Sequence, residues 1–146
     1  MTSGLTEQEI REIGAVCPRL YAAVGWGEGV IPNWDEFRSC CHSGAVLVPM
    51  GSGAPSPIPL ETFIAGMEQQ RSSGAVKDLS ERELSNAVQG FGNLANVRST
   101  FSATIDGVER RGVTYALLVR DQGPWVIISV AWENEGEDRP LPDEFA

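Results

Sequence analysis

The sequence predicts an α+β domain in which helices pack on one face of an antiparallel sheet. Three observations predict it. Apolar residues recur at helical spacing early in the chain and alternate at strand spacing later. Residues 93–132 read as three strands joined by two tight turns. The order of elements is helix, helix, strand, helix, then about four strands, which gathers helices before the antiparallel run.

Each element has its own warrant. Residues 6–24 form the first helix, with Thr6 and Glu9 as a capping box and Ile10, Ile13, Cys17, Leu20 or Tyr21, and Val24 as its inward stripe. Pro18 kinks this helix or starts its second half, because it removes one hydrogen bond. Gly25, Gly27 and Gly29 end it. Asn33 caps a short second helix reaching about Cys41, with Trp34, Phe37 and Cys41 buried. Ala45 to Met50 is a short apolar strand, and Gly51 to Pro59 is a loop. Leu60 to about Ser73 is the third helix, closed by Gly74, with Phe63, Ile64, Met67 and Gln70 or Arg71 on one side.

Val76 to Gln89 has good helix propensity, yet topology assigns it to a bulged strand beside the meander. In the meander, Asp106-Gly107 makes the first turn, since Asp-Gly accepts the positive φ of a two-residue hairpin. Asp121-Gln122-Gly123-Pro124 makes the second, with Gly123 expected at its left-handed position.

Composition bounds the function. At 146 residues the chain reads as one domain, 1–146, with an acidic, solvated tail over 133–146. The net charge of −9, of which −5 falls in that tail, argues against nucleic acid or anionic membrane as a partner. No apolar run approaches the roughly 20 residues of a membrane span. Residues 1–14 lack a basic region followed by an apolar one, so a cytoplasmic protein is expected. Three cysteines make no disulfide framework, and one histidine without a second ligand at metal spacing argues against zinc. No metal or cofactor is expected.

Particular residues, in order, carry a resemblance. They are Asn33 to Ser39 on the second helix, Gly92-Asn93-Leu94-Ala95 before Ser99-Thr100, and Arg111-Gly112-Val113 opening one strand. Gly123-Pro124-Trp125-Val126-Ile127 opens the last strand, which closes with Ala131-Trp132-Glu133. The chain thereby resembles the SnoaL-like branch of the nuclear-transport-factor-2-like superfamily, along nearly its whole length. The resemblance implies a cone-shaped α+β barrel, with three helices packed in a curved antiparallel sheet. It also implies a deep apolar pocket at the open end and a dimer interface on the outer sheet face.

The same resemblance tests the superfamily's activities. In ketosteroid-isomerase relatives Tyr21 matches the oxyanion-hole phenol, but the base falls at about Pro49 and the second acid at about Tyr115. Limonene-epoxide-hydrolase relatives need Asp-Arg-Asp on inward strand positions, whereas only Arg98 lies in the first meander strand and no Asp lies in any strand. Scytalone-dehydratase relatives need two histidines, and only His42 is present. SnoaL-type cyclases need an inward Asp, and the Asp residues here sit at turns, caps or the tail. The usual carboxylate base is therefore missing, and no inward carboxylate is expected.

Strand alternation assigns the pocket lining. With Trp132 inward, Val126, Ile128 and Val130 follow it. Val113, Tyr115 and Leu117 line the strand before, and Val97, Ser99, Phe101 and Ala103 the one before that. The expected ligand-binding residues are Tyr21, Phe63, Met67, Ser99, Phe101, Tyr115 and Trp132, unless these simply fill the core. Tyr21, Tyr115 and His42 are the candidate catalytic groups. His42 alternatively caps the second helix, Arg98 faces solvent or an interface, and Trp26 is either a lid or a loop anchor. Trp125, Ile127, Ser129 and Ala131, with Ala116 and Leu118, make an apolar outer face that predicts a homodimer. The expected function is binding of a small apolar, ring-containing molecule, with isomerase-, cyclase- or dehydratase-type turnover left open. The alternative is a non-catalytic dimerisation or interaction module whose cone is filled.

Overall fold

The computed structural model describes residues 4–51 and 54–146. Its elements are α1 (Glu7–Gly14), α2 (Val16–Val24), α3 (Trp34–Ser39), β1 (Cys41–Pro49), β2 (Ile58–Pro59) and α4 (Leu60–Ser72). The second half supplies β3 (Leu79–Phe91), β4 (Leu94–Ile105), β5 (Val108–Val119) and β6 (Val126–Asn134), with a 3-10 turn at Asp143–Phe145. The strands form one sheet in the order β2-β1-β6-β5-β4-β3. Every neighbouring pair is antiparallel except β1 with β6. The helices fill the concave side, giving the expected cone.

The N-terminal helix is two helices meeting at Ala15. Thr6 and Glu9 close the capping box, Glu9 N–H donating to Thr6 Oγ1 at 3.1 Å and Thr6 N–H to Glu9 Oε1 at 2.8 Å. Pro18 falls in the first turn of α2, where its missing N–H costs little. Asn33 caps α3 by accepting from Glu36 N–H at 3.0 Å. That helix is shorter than expected, and Cys41 opens β1 instead of ending α3. The 51–59 loop includes Ser52 and Gly53, which lie outside the described residues, and ends in the two-residue strand β2. Trp26 is a loop anchor: it pairs with Leu79, and its indole N–H donates to Val76 O at 3.0 Å.

Residues 79–91 are a strand, and a bulged one. Its register against β4 slips between Glu83 and Ser85, leaving Leu84 as the extra residue. A second slip, between Leu117 and Leu118, leaves Ile128 as the extra residue of β6. Each bulge bends its strand and reverses which side chains face the helices. The Asp106-Gly107 hairpin has positive φ at both residues, 49° and 83°. Asp106 Oδ1 also accepts from Lys77 and Asp78 N–H, both at 2.8 Å, tying the segment just before β3 to the turn. In the second turn Gln122 holds the left-handed position, with φ 57°, where Gly123 was expected.

The acidic tail is not simply solvated. Glu135 pairs with Arg111 at 2.7 Å and accepts from Leu141 N–H at 3.0 Å. Farther on, the Phe145 ring covers the Arg98 guanidinium, with Cζ 3.9 Å from the ring centroid. Ser85 Oγ donates to Phe145 O at 2.5 Å. The end of the chain thus crosses the outer face of β3, β4 and β5, and Thr100 beneath it is fully buried.

Candidate functional site

A cavity of about 200 Å³ opens between the helices and the concave sheet face. Its rings come from four elements besides α2. Phe37 and Phe63 stack at 5.8 Å with an interplanar angle of 11°. Trp132 meets Phe63 edge-on at 5.8 Å, and Tyr21 lies 6.0 Å from Phe101. Leu47, Met67 and Val130 are among the aliphatic residues of the lining, and Gln70, Glu81 and Thr114 are its polar points.

Of the expected ligand-binding residues, Tyr21, Phe63, Met67, Phe101 and Trp132 line this cavity. Ser99 lies behind Tyr21, fully buried. The phenol bridges Ser99 Oγ and Thr114 Oγ1, both at 2.9 Å, and Ser99 Oγ donates to Glu83 Oε2 at 2.7 Å. Each hydroxyl has one proton, so the chain has a direction: Ser99 donates to Glu83, Tyr21 to Ser99, and Thr114 to Tyr21. Asn86 Nδ2 donates to the other Glu83 oxygen at 2.8 Å. Burial, reinforced by the neighbouring Cys17, holds the Tyr21 phenol far above its ordinary pKa. Tyr21 therefore presents a neutral ring whose hydroxyl is already engaged.

Two candidate catalytic residues lie elsewhere. Tyr115 points outward and is 58% exposed. Trp132 pairs with Thr114, so Thr114, Ala116 and Leu118 are the inward residues of β5, and Val113, Tyr115 and Leu117 the outward ones. The inward side chains are the smaller set, and Tyr21 packs against one of them, Thr114. Apolar bulk alone pointed the wrong way. His42 stands exposed on β1, its Nδ1 accepting from Gly44 N–H at 2.9 Å. It neither caps α3 nor reaches the cavity. The cysteines are unactivated: burial pushes Cys17 and Cys41 each up to about 12.

The β6 assignment holds at Val130 and Trp132 and fails before them. Across the Ile128 bulge, Trp125 and Ile127 become the buried residues, at 4% and 0% exposure. Val126 and Ile128 are only partly buried. Two residues assigned to the outer face are thus core, as are Ala116 and Leu118.

The site residue that sequence reasoning missed is Glu81. The first segment of β3 faces inward at Leu79, Glu81 and Glu83, before the Leu84 bulge reverses the pattern. The cavity therefore contains a carboxylate after all, on β3 and not beside Pro49. Burial pushes Glu81 up to about 7, although the residue keeps some solvent exposure. Among the described residues, no Lys, Arg or His lines the cavity to offset that burial. Alternation of Leu79, Glu81 and Glu83 was a legible signal once the segment was read as a strand.

No protein-family model matches the chain, and no curated protein matches it. Solved structures do. A protein of unknown function with a cystatin-like fold from Nostoc punctiforme is 13% identical, with TM-score 0.70, over 92% of this chain and 96% of that one. A nuclear-transport-factor-2-like protein of unknown function from Pseudomonas putida is 15% identical, also at TM-score 0.70, over 96% and 98%. Another from Methylobacillus flagellatus is 17% identical at TM-score 0.62, over 93% and 99%. At such identities the likeness shows the fold alone. That fold is the cone-shaped α+β fold of the nuclear-transport-factor-2-like, cystatin-like proteins. No helix among the described residues is long and apolar enough to cross a membrane.

Proposed function

We propose that the chain is a SnoaL-like member of this fold that binds a small, ring-containing molecule in its cone. The observation that carries the reading is the aromatic cavity of about 200 Å³. An apolar cavity of about 150 Å³ accepts benzene, so this one suits a single ring and not a fused polycycle. Its rings meet edge-on and stacked, the geometries in which one more ring is held well. The open cone weighs against an interaction module with a filled one. The last residue of β1 is Pro49 and not a carboxylate, so we assign binding and not strong-base turnover at that point.

A thermal-shift screen of neutral one-ring compounds tests the reading. Saturating binders raise the melting temperature by about 2–5 °C. Trp132→Ala abolishes the shift, while Tyr115→Phe, on the outer face, leaves it intact. A flat screen sinks the reading.

A second reading concerns the outer face. With Trp125 and Ile127 inside, the exposed apolar residues of this face include Leu94, Tyr115 and Leu117, at 51%, 58% and 39% exposure. They adjoin the area already covered by the tail. We propose that a second copy packs there, giving the homodimer. Light scattering is expected to read twice the 15.8 kDa of one chain, and Leu117→Asp to halve it. A wild-type monomer at micromolar concentration overturns the dimer.

A further inference from the structure

We infer that the ligand of the cone carries a basic nitrogen: the cavity is built for a small organic ammonium, with its apolar body among the rings and its cation on Glu81. This rests on the ring-binding reading above and narrows it to a class of ligand. Five aromatic residues line the cavity, Tyr21, Phe37, Phe63, Phe101 and Trp132. Their faces carry the negative end of the ring quadrupole, which attracts a cation wherever water is excluded. One carboxylate lies among them. Several exposed carboxylates have cationic partners: Glu36 has Arg19 at 2.7 Å, Glu61 has Arg38 at 2.9 Å, and Glu68 has Arg71 at 2.8 Å. Glu81 has no such partner among the described residues.

The surroundings of Glu81 are uniformly unsuited to an anion. From α2 it faces Tyr21, whose hydroxyl is engaged with Ser99 and Thr114. From α4 come Gln70 and Met67, neither titratable. Across from it on β4 is Ala103, and along its own strand lies Glu83, which accepts from Ser99 and Asn86. Beyond Ala103 on the same sheet face is Arg110 of β5, which is exposed, does not line the cavity and makes no ion pair with Glu81. Among the described residues the charged group lining the cavity is therefore the Glu81 carboxylate. A ligand carboxylate or phosphate would meet repulsion and no counter-ion, whereas an ammonium would restore the neutrality the site lacks. A neutral ring would fill the space and leave the carboxylate unpaired.

The linkage has a definite sign. An alkylammonium stays charged well above neutrality. Glu81 must ionise to pair with it, so affinity rises as pH passes upward through the Glu81 transition and then levels.

Benzylamine, benzyl alcohol and benzoate share one ring and differ in the head group, and titration calorimetry with wild type and Glu81→Gln compares them. At about pH 8 benzylamine is expected to bind about tenfold or more tighter than benzyl alcohol, with benzoate weakest. The preference shrinks at about pH 5.5, where Glu81 is protonated, and disappears in Glu81→Gln, which still binds benzyl alcohol. Benzyl alcohol or benzoate binding as tightly as benzylamine, or a preference untouched by Glu81→Gln, overturns the inference and leaves the ring-binding reading standing. Failure of all three probes to bind overturns both. A thermal melt of Glu81→Gln confirms that the variant is folded.

Discussion

Glu81→Gln is expected to stabilise the protein at neutral pH and to flatten its stability between about pH 4.5 and 7. The ordinary Glu value is 4.5 and burial raises Glu81 to about 7. Below pH 4.5 folded and unfolded chains both hold this proton, and burial of the neutral acid carries no charge penalty. Between the two values only the folded chain holds it, so rising pH favours the unfolded state. Above about 7 the folded carboxyl ionises as well and the loss is complete. A shift of this size corresponds to about 3 kcal/mol, and partial exposure of the residue reduces that to about 2.

The variant removes the penalty because an amide does not ionise. Glu9, Glu36, Glu61, Glu68 and Glu135 work in the opposite sense, since hydrogen bonds and arginines hold their carboxyls below the usual range. Their contribution is present above the unfolded value and lost as pH falls through the folded one. They are common to both proteins, so the difference between the two urea-unfolding profiles isolates Glu81. Parallel profiles across that window would falsify the assignment of Glu81 as a buried, unpaired acid.

Gly112→Ala is expected to destabilise the fold by about 1–3 kcal/mol and to shrink the cavity. β5 runs so close to its surroundings at Gly112 that an added Cβ would overlap the Glu133 carbonyl oxygen and lie 2.6 Å from Phe101 Cζ. The carbonyl belongs to the adjacent strand and gives little. The Phe101 ring gives more, and the room available to it is the cavity it lines. Adding Phe101→Leu should therefore recover part of the loss, because it relieves one of the two overlaps. Chemical denaturation of both single variants and the double variant measures the coupling between sites in contact. Strictly additive losses would show that Phe101 does not limit the space at Gly112.

Much of the architecture was readable from local chemistry. Thr6 with Glu9, Asn33 before an acidic first turn, and Asp106-Gly107 between apolar runs each satisfy nearby backbone groups, so sequence neighbours suffice to place them. Pro18 signalled a second half of the helix for a different reason: it lacks an N–H, which costs little in the first turn of α2. Of the cavity, the rings on helices were legible because helical periodicity has one buried face. Phe101 and Trp132 were legible because each lies on a stretch where alternation is unbroken.

The errors share a cause. Tyr115 was placed inward because β5 is apolar on both faces, and alternation cannot say which face meets the helices. Trp125 and Ile127 were placed outward because one extra residue, Ile128, reverses the pattern on β6. Glu81 was missed because the inward phase of its strand was left unassigned, and that phase ends at the Leu84 bulge. The tail was read as solvated because its many acids outweigh Phe145, which finds its partners only on distant strands, at Arg98 and Ser85.

Fold class, the main helices and strands, both meander turns and the aromatic character of the site thus follow from residues close together in the chain. Which face of β5 lines the cone, where the tail rests and which carboxylate enters the cavity depend on register. Register is set by pairing between strands and by bulges, and these are energies of contact between segments far apart in sequence. Tertiary packing alone places the unpaired Glu81 among five aromatic rings.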